Sequence, residues 1–161
     1  MTLLDTRIAD LEFARGYTLW LLDGTPEADW HRTPPGAATS VAWQVGHLAF
    51  AEHRLILERV CGLPEAGGVL PTKYFTLFGR GSAAGDCPPA GELRAALAAV
   101  HARGLAQLRA RPGLDLGAPP ATPHRFCKTV GECLRWCSHH ETVHAGQVGL
   151  LRRLLGHPPL W

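Results

Sequence analysis

Apolar side chains recur at helical intervals in four stretches of this chain, and no stretch alternates in the two-residue rhythm of a half-buried strand. Leu4, Ile8, Leu11, Ala14, Thr18 and Leu21/Leu22 predict a first helix from residue 3 to about 22, stopped by the turn residues Asp23-Gly24-Thr25-Pro26. A second helix begins at Thr39 or Ser40, either of which can cap it, and runs to about Cys61, closed by Gly62 and Pro64. A third, rich in Ala and Leu, covers about 91 to 110 and ends before Arg111-Pro112-Gly113. The last opens on Thr129-Val130-Gly131-Glu132, a capping-box pattern, and continues to about Leu155, where Gly156 and Pro158-Pro159 end it. Between the second and third helices lies a long connection expected to be irregular. It carries Tyr74, Phe75 and Phe78, whose rings either plug the core or cover one end of a bundle. Four amphipathic helices predict an all-α four-helix bundle forming one domain over residues 1–161, with a long loop between helices 2 and 3.

Composition narrows the class further. The 161 residues are 46% hydrophobic and 19% charged with a net charge of +2, ordinary values for a globular domain. No Lys/Arg cluster tracks a face long enough to follow a phosphate backbone, so a nucleic-acid partner is not expected. No apolar run approaches the length of a membrane span, and Asp5, Arg7, Asp10 and Glu12 interrupt the first apolar stretch, unlike a secretory leader. Five cysteines without framework spacing suit a reducing compartment, and the expected location is cytoplasmic.

The chemistry concentrates in the last helix. His140 and His144 are four residues apart and therefore stack on one face, close enough to share a metal ion. They continue a stripe of Cys133, Cys137, Val148, Leu151 and Leu155, so both lie on a face that is apolar at each end. A buried imidazole needs partners for its nitrogens. A metal is one, and a side chain or carbonyl from another helix is the alternative. Cys133 and Cys137 read as small core residues more readily than as ligands. His140-Glu141-Thr142-Val143-His144 also spells the zinc-peptidase pattern with Glu141 as base. Its metzincin extension fails at Gln147 and Leu150, and no strand is available to bind an extended peptide. A third ligand should come from another helix. His47 is the best candidate, preceded one turn earlier by Trp43 as His140 is by Trp136, and both tryptophans are expected to wall the same side of a shared site. His53 is the weaker candidate, while His31, His101, His124, His139 and His157 read as loop or surface residues.

Several segments resemble the DinB/YfiT-like family of four-helix bundles with a three-histidine metal site, and the resemblance covers most of the chain. Ser40-Val41-Ala42-Trp43-Gln44-Val45-Gly46-His47 is similar to the family's second-helix motif, and Phe78-Gly79-Arg80-Gly81-Ser82 to its inter-helix loop. Thr129-Val130-Gly131-Glu132 and His140-Glu141-Thr142-Val143-His144-Ala145-Gly146-Gln147 are similar to its last-helix motif. The resemblance implies His47, His140 and His144 as ligands of a divalent transition metal, zinc first, with nickel or iron as alternatives. It implies close helix packing at Gly146 and a supporting or substrate contact from Gln147. From their positions in the sequence, Trp43, Trp136, Tyr74 and Phe78 are the expected pocket residues. His139 and Glu141 flank the ligands and are candidates for moving protons.

Characterised relatives of that family include transferases and isomerases that use low-molecular-weight thiols. The expected function is therefore metal-dependent transfer of such a thiol to an electrophilic small molecule. Hydrolysis and a non-enzymatic, stress-associated metal-binding role are the alternatives. An iron-dependent C–S bond-forming enzyme would need a second catalytic domain. The expected partners are small molecules and, as for many bundles, a second copy of the chain.

Overall fold

Thr2 opens the first helix by accepting from the Asp5 amide while the Asp5 carboxylate takes the Thr2 N–H, so two otherwise orphaned donors are satisfied. In the computed structural model, which describes residues 1–63, 68–79, 81–82 and 85–160, this helix, α1, spans Leu3–Asp23. Its buried face is the stripe expected from the sequence, with one addition, Arg15. Ser40 caps α2, Val41–Glu52, and the helix continues without a break into a π-helical segment, His53–Val60. The short α3, Lys73–Leu77, breaks the connection expected to be irregular. Helix α4 spans Ala90–Arg109, and α5 spans Val130–Leu154 behind the Thr129–Glu132 capping box. All described residues are helical, turn or loop. Pro64, expected to help close the second helix, and Arg80, in the glycine-rich loop motif, lie outside the described residues.

Pairings along the helices give their directions. Glu12 meets Arg109 and Leu22 meets Arg94, so α1 and α4 are antiparallel. Arg15 meets Glu141 and Gly24 meets Arg152, so α1 and α5 run parallel. Glu52 pairs with His101, and Ile56 packs beside Gly104, so α2 and α4 are also parallel. Two parallel neighbours cannot be joined by a tight turn. The chain after α2 must return the length of the bundle before α4 begins, which explains the long connection.

That connection also fills core space. Tyr74 and Phe78 are fully buried, with their rings 5.1 Å apart, and Phe78 lies against Gly46 of α2. The core falls into two apolar halves. One holds Leu21, Val45, Leu48, Leu97, Val100 and Val148, and the other holds Leu11, Leu55, Ile56, Leu105, Leu134 and Cys137. Between them sits a polar layer centred on Arg15. Its Nε and Nη2 bond the two oxygens of Glu141 at 2.6 and 3.1 Å, Nη2 also bonds Glu52 at 2.7 Å, and Nη1 donates to the Leu97 carbonyl. His101 adds a 2.8 Å contact to the other Glu52 oxygen, so it is part of this layer and not the surface residue expected. Burial alone would raise the Glu52 carboxyl, but the Arg15 charge and then His101 outweigh it and hold it below the usual carboxylate range.

No described helix is long and apolar enough to cross a membrane.

Removing the guanidinium would strand two buried carboxylates, which costs more than the pairs themselves contribute. Arg15→Ala should therefore lower unfolding free energy by about 3–5 kcal/mol in urea titrations. A loss under about 1 kcal/mol, the scale of an exposed pair, would show that the layer does not hold the bundle together.

Candidate metal centre

Helices α2 and α5 run antiparallel past each other, pairing Gln44 with His144 and His47 with His140. Three half-buried imidazoles thereby converge, with ligand atoms of His47, His140 and His144 all within 4.8 Å of one another. The Nε2 of His140 lies 3.4 Å from that of His47 and 3.2 Å from that of His144. Nitrogens bound tetrahedrally to zinc at about 2.0–2.1 Å stand about 3.3–3.4 Å apart, so His140 has the spacing a single ion requires to both of its neighbours.

The outer nitrogens determine what the inner ones can do. His47 Nδ1 is 2.8 Å from the Phe78 carbonyl, which can only accept, so the ring proton sits there and Nε2 keeps a lone pair. His144 Nδ1 is 2.5 Å from Gln44 Oε1, while the Gln44 amide nitrogen donates to Thr39, and the same tautomer follows. Burial pushes the His47 imidazole below its ordinary pKa. Burial and the neighbouring His144 and His47 rings push His140 down to about 3, and burial and His47 push His144 to about 4. The rings are therefore neutral near pH 7, and the Nε2 lone pairs of His47 and His144 are directed at His140 Nε2 across 3.4 and 3.2 Å. With the His140 proton on Nδ1, all three Nε2 atoms can donate to one cation at the point of convergence. The donor set fits a divalent transition metal.

The DinB superfamily profile matches residues 10–148, a span that includes all three histidines. The chain belongs to the DinB superfamily. No curated protein matches it. Membership of this superfamily and the three-histidine cluster together suggest a bound metal.

The other candidate residues of this DinB-superfamily protein scatter. Trp43 stacks flat on His47, with ring centres 4.8 Å apart and planes 8° from parallel, while Trp136 is tilted 5.9 Å from His140. They do not wall one side. Because α2 and α5 are antiparallel, one turn back along each helix leads to opposite ends of the site. Glu141 is buried on the adjoining face of α5, about 100° round the helix from His140, with both oxygens bonded to Arg15, so it is not placed to move protons for the site or act as a peptidase base. His139 and Gln147 are exposed, although Gln147 lies near enough to His144 to oppose the lowering of its pKa. Tyr74 is core, not pocket wall, and Phe78 serves through its carbonyl. His53 is buried against Glu58, away from the cluster. Cys133 and Cys137 are core thiols. Burial, then Cys127, pushes Cys133 up to about 12, and burial, then the Glu52 and Glu141 charges, raises Cys137, so neither is a thiolate. Close packing occurs at Gly46, where a Cβ would overlap the Phe78 ring, and not at Gly146, which faces open space.

Gln44 was not singled out by sequence, although its place one turn before His47 marked it as a neighbour of the same face. Gln44→Ala should weaken metal binding about 10–100-fold in chelator competition, the usual cost of losing a group that orients a ligand. Unchanged affinity would mean that His144 is oriented by other contacts. Gly46→Ala should displace Phe78, cost about 1–3 kcal/mol of stability through overpacking, and lower metal affinity through the His47–carbonyl bond. Retention of wild-type metal affinity would show that this carbonyl is dispensable.

Proposed function

We propose that this DinB-superfamily chain is a metal-dependent enzyme that transfers a low-molecular-weight thiol to an electrophilic small molecule, with zinc held by His47, His140 and His144. The observation that carries the reading is the convergence of three imidazole nitrogens beside an open cleft of about 420 Å³ that borders His47 and His140. Pockets for small ligands usually measure about 300–1,000 Å³. A divalent ion with three protein ligands supplies Lewis-acid activation to a thiol or water at an open coordination position.

The chain's own residues supply orientation and exclusion of water. The Phe78 carbonyl and Gln44 hold two imidazoles in the tautomer that leaves Nε2 available. Trp43 covers one face of His47, and Trp136 with Phe126, edge to face at 4.6 Å, forms an apolar wall beyond His140. Among the described residues no carboxylate joins the three histidines, and the nearest in sequence, Glu141, faces away. That favours a thiol over water as the activated group, because a thiolate is intrinsically nucleophilic and needs no positioned general base to attack an electrophile.

Metal analysis by mass spectrometry of untagged protein tests the reading first. Wild type and His157→Ala should carry about one metal per chain, and His47→Ala and His144→Ala close to none, as loss of one of three ligands implies. His157 is a suitable control because it bonds Asp29, away from the cluster. Thiol-conjugation activity should disappear on chelation while the helical circular dichroism persists. Unfolding on chelation would make the metal structural.

A further inference from the structure

Two aromatic walls lead away from the histidine cluster. From His140 the first passes through Trp136 to Phe126 and then His124, with successive ring centres 5.9, 4.6 and 4.5 Å apart. From His47 the second is formed by Phe50, at 6.2 Å, with Phe75 packed edge-on behind it at 5.6 Å. The cleft between them has Ala51 and Leu55 at its base, and its only charged lining residues among those described are Arg54, Arg59 and Arg125.

The π-helical winding of His53–Val60 helps to assemble this charge. Residues five apart on an α-helix lie about 140° apart around the axis. The wider π turn closes that angle and brings i and i+5 towards one face. The His53–Glu58 contact at 3.1 Å is one such pair, and Arg54 and Arg59 are the next. Glu58 balances Arg54 at 2.8 Å. Arg59 instead bonds neutral carbonyls, those of Pro123 and Arg54, and Arg125 is exposed on the opposite bank. Burial, then the Arg59 and Arg125 charges, lowers the pKa of the His124 ring, so both guanidiniums bear on the same spot. Among the described residues no carboxylate pairs with Arg59 or Arg125, so the cleft carries positive charge at the end remote from His47 and His140.

We infer that this cleft selects a small-molecule substrate with an apolar, preferably aromatic, body and a terminal anionic oxygen group, recognised by Arg59 and Arg125. The anion would lie about 10 Å from the reacting end, since the Arg59 guanidinium folds back onto the carbonyl of Arg54, seven residues beyond His47 at about 1.5 Å each. The inference rests on the metal-centre reading for the identity of the reacting end, but its charge selection is measurable without turnover.

The test is a titration of the zinc-loaded protein at low salt, followed by amide NMR shifts, with three probes of one shape. They are 3-phenylpropanoate, 2-phenylethyl phosphate and the uncharged 3-phenylpropanamide. At least one anion should bind about tenfold tighter than the amide, the scale of one charge-assisted hydrogen bond. The preferred anion identifies carboxylate or phosphate as the group recognised. The preference should vanish in Arg59→Gln/Arg125→Gln with amide binding unchanged. Arg125→Gln alone should reduce it, and because Arg125 is exposed that variant avoids the loop contacts of Arg59. Equal binding of all three probes, no binding of any, or a preference that survives the double substitution would overturn the inference. If the preference holds while thiol transfer is absent, the proposed activity fails and the anion site stands.

Discussion

The Arg15 guanidinium touches all four long helices. It belongs to α1, bonds Glu52 of α2 and Glu141 of α5, and donates to the Leu97 carbonyl of α4. Apolar side chains slide past one another at small cost, but a buried guanidinium between two carboxylates has few satisfactory positions. This layer therefore determines the relative register of α2 and α5. Glu52 lies five residues after His47, and Glu141 is next to His140, so the contacts that align the carboxylates also align the imidazoles on the adjoining face. The charged layer at the centre and the neutral histidine cluster beside it are two consequences of one helix alignment.

Direction matters as much as register. The antiparallel passage of α2 and α5 brings Gln44 to His144 and sends Trp43 and Trp136 to opposite ends of the site. Trp43 thus becomes a lid on one ligand, and Trp136 becomes the wall of an open cleft. The parallel arrangement of α2 and α4 requires a long return of the chain, and that return delivers the Phe78 carbonyl to His47. Gly46 makes the approach possible because any side chain there would occupy the space of the Phe78 ring. A connection needed for topological reasons thereby also orients a ligand.

Much of this was legible in the residues. The apolar spacing of α1, the capping box of Thr129 and Glu132, and the i, i+4 spacing of His140 and His144 are local patterns, and local geometry decides their outcome. The pairing of His47 with them was suggested by its place in mid-helix and by resemblance to DinB-like proteins. Glu141 misled because the His-Glu-x-x-His spelling says nothing about what the intervening face packs against. Arg15 and His101 were missed because a charged residue within an apolar stripe looks like a stripe boundary until its partners, 126 and 49 residues away in sequence, are in place.

The sequence by itself determined the four long helices, where they begin, and which side chains share a helix face, because these depend on neighbours within about four residues; the short α3 escaped it. Tertiary structure alone decided that α2 and α5 are antiparallel, that Glu141 serves Arg15, and that the second helix widens into a π turn. It also decided that three arginines gather at the mouth of the cleft. Each of these depends on which groups must satisfy one another across helices once water is excluded, and no periodicity along a single helix records that requirement.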